Sequence, residues 1–337
     1  MTHDHSTHSA IDIHTHVVPE KFPNYGGSTP DIPWPSMAPA HACHAHVMVS
    51  GKVYRTVADG SWSVPRRIEG MEAMRVGRQA LSPMPELLSY WLPAADAKVL
   101  IRYLTDQIAT MVDAAPARFT GLGAVPLQDL DMALAELEYV KKTLDFAGVE
   151  IATHVNGVSI GDKRFEPFFA AAEKLGASIF VHALRPIGQD RIVGTLSEQA
   201  VAFPLDIGMA VAAMITGGIA AKHPNLRIAF SHGGGAFTMM LPRIAHAWRM
   251  TPKSHEQMPE SPEVYAKKFF YDCVVFDPKL VQLLISTYGA SQIVVGSDYP
   301  FAMGELDPIG LLGRSGLDAA AMKAITSGNA KRFLGIA

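Results

Sequence analysis

IDIHTHVVPE, residues 11–20, is a short apolar run that ends in two histidines one residue apart. Alternation along a strand sends residues i and i+2 to the same side, so His14 and His16 converge as a pair of metal ligands must. In a chain with 14 histidines the competing reading is a chance pair. The rest of the chain decides between them, through what its other strands end in.

Short apolar runs suited to strands recur at 10–14, 76–82, 119–125, 148–152, 178–182, 226–231, 269–274 and 292–296. Between most of them lie stretches with apolar positions at helical spacing, such as DAKVLIRYLTDQIATMVDAAP (96–116) and PKLVQLLISTYG (278–289). PLDIGMAVAAMITGGIAAKHP (204–224) reads as one helix feeding the sixth strand. Runs without polar alternation suit strands buried on both faces. Eight such units with right-handed crossovers predict a (β/α)₈ barrel. A doubly wound open sheet is the rival, but no glycine-rich phosphate loop follows the first strand.

Residues 1–9, MTHDHSTHS, read as a flexible leader, and 10–337 as one barrel domain. After the first strand, residues 17 to about 66 form a long Pro/Gly-rich insertion that includes YGGSTPDIPWPSMAPAH. A loop of that length inside a compact domain points to function. Within it SGKVYRTVADGSWSV (50–64) alternates like a hairpin.

An apolar fraction of 48% with 18% charged residues suits a large core. A net charge of −3 without a basic block argues against nucleic acid and anionic membranes. Two cysteines, Cys43 and Cys273, make no disulfide framework and fit a reducing compartment. The longest apolar runs are broken by glycine and shorter than a membrane span, so the expected location is the cytoplasm.

A barrel carries its chemistry at the C-terminal ends of its strands. His14 and His16 end the first strand, His182 the fifth (IFVHAL), His232 the sixth (IAFSHGGG) and Asp298 the eighth (VVGSDYP). A single core histidine is commonly just hydrogen-bonded; this coincidence is harder to explain so. Three imidazoles and a carboxylate suit a divalent ion, zinc first and manganese or iron next, with a water as reactive ligand. His14, His16, His182 and Asp298 are therefore the expected ligands, with Asp298 also part of the catalytic apparatus. His232 is kept free as general base and then acid. Glycines 233–235 are expected to let backbone approach the substrate. Trp34, Trp62, Trp91, Met84 and Phe301 are candidates to line an apolar pocket, though ordinary packing accounts for each equally well. His154, which ends the fourth strand in IATHVNG, is a candidate to support a ligand or touch substrate rather than to ligate.

This set resembles the amidohydrolase superfamily. More narrowly, AVPLQDLDMALAELE, KHPNLRIAFSHGGGAFTMMLPRIAHAWR and GSDYPFAMGE are similar to the family of 2-amino-3-carboxymuconate-6-semialdehyde and γ-resorcylate decarboxylases. The resemblance covers residue 11 to the end. It implies one divalent metal, usually zinc, and non-oxidative removal of a carboxylate from a small unsaturated or aromatic acid. No lysine ends the fourth strand, where binuclear relatives place a bridging ligand. By the same resemblance Arg55, in GKVYRTV, would grip a substrate carboxylate. Arg243, in LPRIAHAW, would reach the neighbouring subunit's site, which implies a homodimer or higher homo-oligomer. HACHAHVMV (41–49) departs from the family; His41, Cys43, His44 and His46 are a second metal site or, by their irregular spacing, an accidental cluster. A metal-dependent hydrolase or hydratase acting on an amide, lactone or C–C bond is the alternative reading. A metal-binding protein without turnover is a third.

Overall fold

A computed structural model describes residues 9–186, 188–195 and 198–337. The leader, apart from Ser9, lies outside the described residues. The eight expected strands all form: β1 (Ile11–Val17), β2 (Arg78–Pro83), β3 (Phe119–Ala124), β4 (Gly148–Ala152), β5 (Ser178–His182), β6 (Arg227–Phe230), β7 (Phe270–Asp272) and β8 (Ile293–Val294). They make one sheet in sequence order with every neighbouring pair parallel. The sheet closes on itself between β8 and β1. Ile13 N donates to Val295 O (2.9 Å), Asp298 N to His14 O (2.9 Å) and His16 N to Tyr299 O (2.7 Å).

One extra residue is inserted in β1 between Asp12 and Thr15, where the register against β2 shifts. Such a bulge reverses the alternation that follows it. Ile11 and Ile13 accordingly pack with Ala80, Leu122, Phe180 and Phe333 in an apolar cluster, while His14 contacts Phe180 and His182 beyond it. Helix Asn329–Leu334 supplies Phe333 and Leu334 to that cluster, and Ser178 Oγ donates to Phe333 O.

Local chemistry sets several helix ends. The side chain of Asp129 accepts from Met132 N, and that of Asp277 from Lys279 N ahead of Pro278. The stretch expected as one helix over 204–224 is instead divided. Helix Phe203–Thr216 ends before Gly217 and Gly218, and a short turn, Ile219–Lys222, follows. Together with the turn ahead of it, the first part gives a 19-residue helical run, Glu198–Thr216, of mean hydropathy 1.5. The apolar run thus reaches the length of a membrane span, contrary to the sequence reading. Half of it is buried within the chain, as in a core helix.

The insertion after β1 holds a three-stranded antiparallel sheet, Ser36–Pro39, His44–Val49 and Lys52–Ala58. The hairpin therefore lies one strand earlier than expected: Ser50 and Gly51 form its turn, and HAHVMV is its first arm. Its second arm carries Arg55 toward the barrel mouth.

Arg67 ties the outer side of β1 in place. Fully buried, it donates to Gly60 O (3.0 Å), Thr15 Oγ1 (3.3 Å), Gln79 Oε1 (3.2 Å) and the carbonyl of His16. Burial pushes the guanidinium down to about 10, which leaves it charged at neutral pH. Arg67→Ala strips a donor from all four acceptors. We expect it to lower unfolding stability by about 3 kcal/mol or more, read from denaturant titration.

Candidate metal centre and its pocket

β1 and β5, with the segments after β6 and β8, deliver the expected groups to one place. One coordinating atom each from His14, His16, His182 and Asp298 lies within 4.8 Å of all the others, and the four residues are buried. His14 Nε2 and His16 Nε2 face each other at 3.1 Å. Asp298 Oδ1 stands 3.3 Å from the first and 3.1 Å from the second. Asp298 Oδ1 and His182 Nε2 are buried without a hydrogen-bond partner among the described residues.

The outward nitrogens are all engaged. His14 Nδ1 meets Asp272 Oδ2 at 2.6 Å, His16 Nδ1 the carbonyl of Pro83 at 3.2 Å, and His182 Nδ1 that of Ala183 at 2.8 Å. A proton on each Nδ1 satisfies these acceptors, so that in the neutral imidazole each Nε2 turns a lone pair inward. Ligating histidines are oriented in just this way by carboxylates and backbone carbonyls. Four inward donors, two of them orphaned, fit one divalent cation. A His/Asp site able to bind a metal is thus present, and it is the one group of this kind found among the described residues.

Electrostatics concentrate one positive charge here. Burial works against a charged His14, but the carboxylates of Asp298 and Asp272 overcome it and push the imidazole up to about 10. Burial lowers His16, and it lowers His182 well below the usual histidine range with help from His232 and His16. Burial opposes ionisation of Asp298, yet His14 and His16 hold it well below the ordinary carboxylate range. Without metal, the cluster answers its two carboxylates with a proton on His14.

His232 sits beside this group, its ring 5.2 Å from that of His14 and 5.1 Å from that of His182. Its Nε2 has no hydrogen-bond partner among the described residues. Burial, then the nearby His14 charge, brings its pKa down to about 4, so it is neutral at pH 7. Both His232 (φ 53°) and Asp298 (φ 62°) adopt the left-handed region, a local strain tolerated where the surroundings fix it. The glycines after His232 answer a different need from the one expected. A Cβ on Gly233 would meet Val275 and Leu284, and one on Gly235 would strike Pro204 O at 2.0 Å. Close packing at positive φ requires them, and of the three only Gly235 borders the pocket.

The metal group opens into a cavity of about 390 Å³ bordered by Arg55, Glu86, Phe203, His232 and Phe301. Phe301 stacks on His16 (5.1 Å between centroids), and the Arg55 guanidinium lies 4.5 Å from the Phe301 centroid. Arg55 and Phe301 thus both border this cavity. Met84 is fully buried, and Trp34 and Trp62 pack on the core. Trp91 stacks under Arg185 in a separate small cleft with His154. Arg243 is exposed on helix Phe237–Met250 and does not border its own chain's pocket. The His41 and His44 rings lie 4.2 Å apart and tilted, His44 Nδ1 meets Ala42 O, and His46 Nδ1 meets Thr56 Oγ1. No metal-competent group of three forms from them among the described residues.

Sequence reasoning missed Asp272, Glu150 and Glu86. Asp272 holds His14, and its other oxygen accepts from Gly233 N (2.9 Å) and Val274 N (3.0 Å). Glu150, fully buried on β4, lies 3.7 Å from His16 Nδ1, and burial pushes it up to about 8. A charged residue inside a strand buried on both faces, as in VEIA and FYDC, was the available signal.

A family model of the amidohydrolases matches residues 11–336. The 2-amino-3-carboxymuconate-6-semialdehyde decarboxylase of Dictyostelium discoideum is 34% identical over 334 residues, covering 97% of this chain and 91% of its own. Among solved structures, the apo form of IDCase from Metarhizium anisopliae superposes with a TM-score of 0.83 over 98% of both chains, at 21% identity. A dihydroxybenzoic acid decarboxylase from a Polaromonas species, with bound manganese and the inhibitor 2-nitroresorcinol, gives 0.72 over 80% of this chain and 85% of its own, at 23% identity. Both structures share the fold.

In the metal-free cluster the carboxylates of Asp298 and Asp272 favour the protonated form of His14, so an incoming ion displaces a proton. Metal loading at pH 7 should release about one proton per chain, and apparent affinity should rise with pH by about tenfold per unit until His14 deprotonates. Calorimetry of zinc binding in buffers of different ionisation enthalpy measures the release directly.

Proposed function

We propose a chemistry for this chain on the premise that it belongs to the amidohydrolase family, which the match over residues 11–336 shows. It is a metal-dependent, non-oxidative decarboxylase of a small unsaturated or aromatic carboxylic acid, related in kind to carboxymuconate semialdehydes. The observation that carries this reading is the pairing of two features in one cavity. Four inward donors suit a single divalent ion, and an unpartnered neutral imidazole stands beside them. The Dictyostelium relative, a decarboxylase by name, supports the reaction class over hydrolysis.

His14, His16, His182 and Asp298 hold the ion, zinc by the chemistry of its donors, with manganese the alternative that the Polaromonas structure suggests. When bound, the ion supplies a Lewis acid that draws negative charge toward a substrate oxygen as the carboxylate leaves. Arg55 fixes an acid group of the substrate, because guanidinium pairs with carboxylate and stays charged. Phe301 and Phe203 flank the reacting part of the substrate and keep water away from it. His232 Nε2 takes a proton from a substrate group or water and returns it to carbon. The electron pair of the broken C–C bond remains on that carbon, the proton completes the new C–H bond, and carbon dioxide departs. A fixed base next to the reacting carbon contributes about a hundredfold to ten-thousandfold.

Metal-loaded protein should release carbon dioxide from one or more of the carboxylated muconates, salicylates and pyridine acids. His232→Ala should retain its metal and lose at least about a hundredfold in turnover. His182→Ala and Asp298→Ala should lose metal affinity itself. A His232→Ala protein that purifies metal-free would reverse the roles.

Assembly follows from Arg243. It is exposed in its own subunit, as a residue serving a neighbour's site would be, and Met239 on the same helix is 77% exposed. The chain then works as a homodimer, with Arg243 completing the partner's carboxylate site. Mixing inactive His232→Ala with inactive Arg243→Ala should restore activity once subunits exchange, since one site of the mixed dimer has both residues intact. No recovery after proven exchange would place Arg243 outside the site.

A further inference from the structure

Phe276 breaks two local rules at once. It follows β7, one residue ahead of Asp277, the cap of helix Pro278–Tyr288. Its backbone lies in the left-handed region (φ 59°), and among the described non-glycine residues there it has the largest apolar side chain. A bulky residue in that region is an outlier, whereas asparagine and glycine adopt it readily. The residue is also 54% exposed. A polar side chain would relieve the backbone and suit the solvent, so neither folding nor solubility accounts for a phenylalanine here. Local strain held at the edge of a cavity points to a ligand.

That cavity is the one that opens from the metal group. Phe276 borders it together with Val275, Leu280 and Met303, from the segments that follow β7 and β8. Leu280 is 44% exposed and Met303 42%, so three large apolar side chains share a partly open rim. His182 and Asp298, which border the same cavity, are buried. The cavity therefore grades from a buried, ligating floor to an apolar rim in contact with solvent. Size points the same way. A dry apolar cavity of about 150 Å³ already holds a benzene ring. At about 390 Å³ this one has room for a ring at the metal group and several more carbons beyond it. An acid without a further substituent would leave the rim bare.

Resting on the decarboxylase reading above, we infer that Phe276, Leu280 and Met303 form a second subsite, which takes an apolar substituent of the substrate. The substrate is then an unsaturated or aromatic acid of the proposed kind with a short alkyl chain or a second ring at the end remote from the metal. Its acid end lies against Arg55 and the ligand group, and its apolar end covers the rim. Each methylene taken fully out of water favours binding by about fourfold.

Phenylphosphonate and its 4-methyl, 4-ethyl, 4-propyl and 4-butyl homologues have an acid head but no carboxylate to lose, which makes them inert probes. Their binding to zinc-loaded protein is measured by calorimetry in wild type, Phe276→Asn and Leu280→Gln. Asparagine suits the left-handed backbone at 276 and glutamine the exposed helix position at 280, so both variants should fold. In wild type, affinity should rise at least about twofold with each carbon, and so at least about fifteenfold from the parent to the butyl homologue. Each substitution should cut that gain by about threefold or more, with phenylphosphonate as the internal reference. A residue that only steadies the start of its helix would shift unfolding stability and leave the gain alone. A wild-type series without the gain, a wild type that binds no probe, or a gain that survives both substitutions in folded, zinc-loaded protein overturns the inference. So does a Phe276→Asn protein that changes subunit number in light scattering, since the rim would then be a contact between copies. The reaction itself is tested separately, by carbon dioxide release and its loss in His232→Ala.

Discussion

Closure of the barrel between β8 and β1 is the constraint on which the rest depends. The hydrogen bonds that close it run through the site residues themselves: Asp298 donates its amide to His14 O, and His16 its amide to Tyr299 O. The first and last strands are more than 250 residues apart in sequence, and only the seam brings a carboxylate to two imidazoles. Gly296 makes that approach sterically possible. A Cβ there would lie 2.8 Å from Asp272 Cβ and 3.0 Å from His14 Cβ. Folding and metal-site assembly are therefore one event, and Arg67, clamped to the carbonyl of His16 from outside the barrel, serves both.

A second layer of contacts turns a cluster of side chains into an oriented site. Each outer nitrogen of His14, His16 and His182 has an acceptor, whereas the corresponding inner atoms crowd together or lack partners. That asymmetry fixes which nitrogen is free for an ion. His232 stands beside this group with an Nε2 that has no partner among the described residues, and burial with the nearby His14 charge outweighs Asp298 and Asp272 and keeps it neutral.

Much of the fold was legible because β2 to β8 carry brief apolar runs with both faces buried, each followed by a helix or turn signal. His14, His16, His182, His232 and Asp298 were legible because a barrel places chemistry at strand ends, and polar groups stand out there. The bulge in β1 was not. Ile13 and His14 are adjacent, and nothing in IDIHTH reveals that both serve the barrel interior. The insertion was misread by one strand, because His44 and His46 drew attention as possible ligands while their alternation with Ala45 and Val47 marked a strand. Glu86 escaped notice for the opposite reason, as a lone acid inside an apolar turn whose partners, Tyr54 and Arg55, lie some thirty residues earlier. Contacts of that range are written in topology, and sequence spacing does not report them.

The central claim is that one divalent ion is held by three imidazoles and one carboxylate, with His232 left off the metal. Anomalous X-ray scattering from crystals of the zinc-loaded protein tests it most directly. The account predicts a single anomalous peak per chain, in bonding contact with His14, His16 and His182 through Nε2 and with Asp298, and His232 beyond bonding distance. Two peaks in the cluster, or His232 bonded to the ion in place of one of the four, would contradict it.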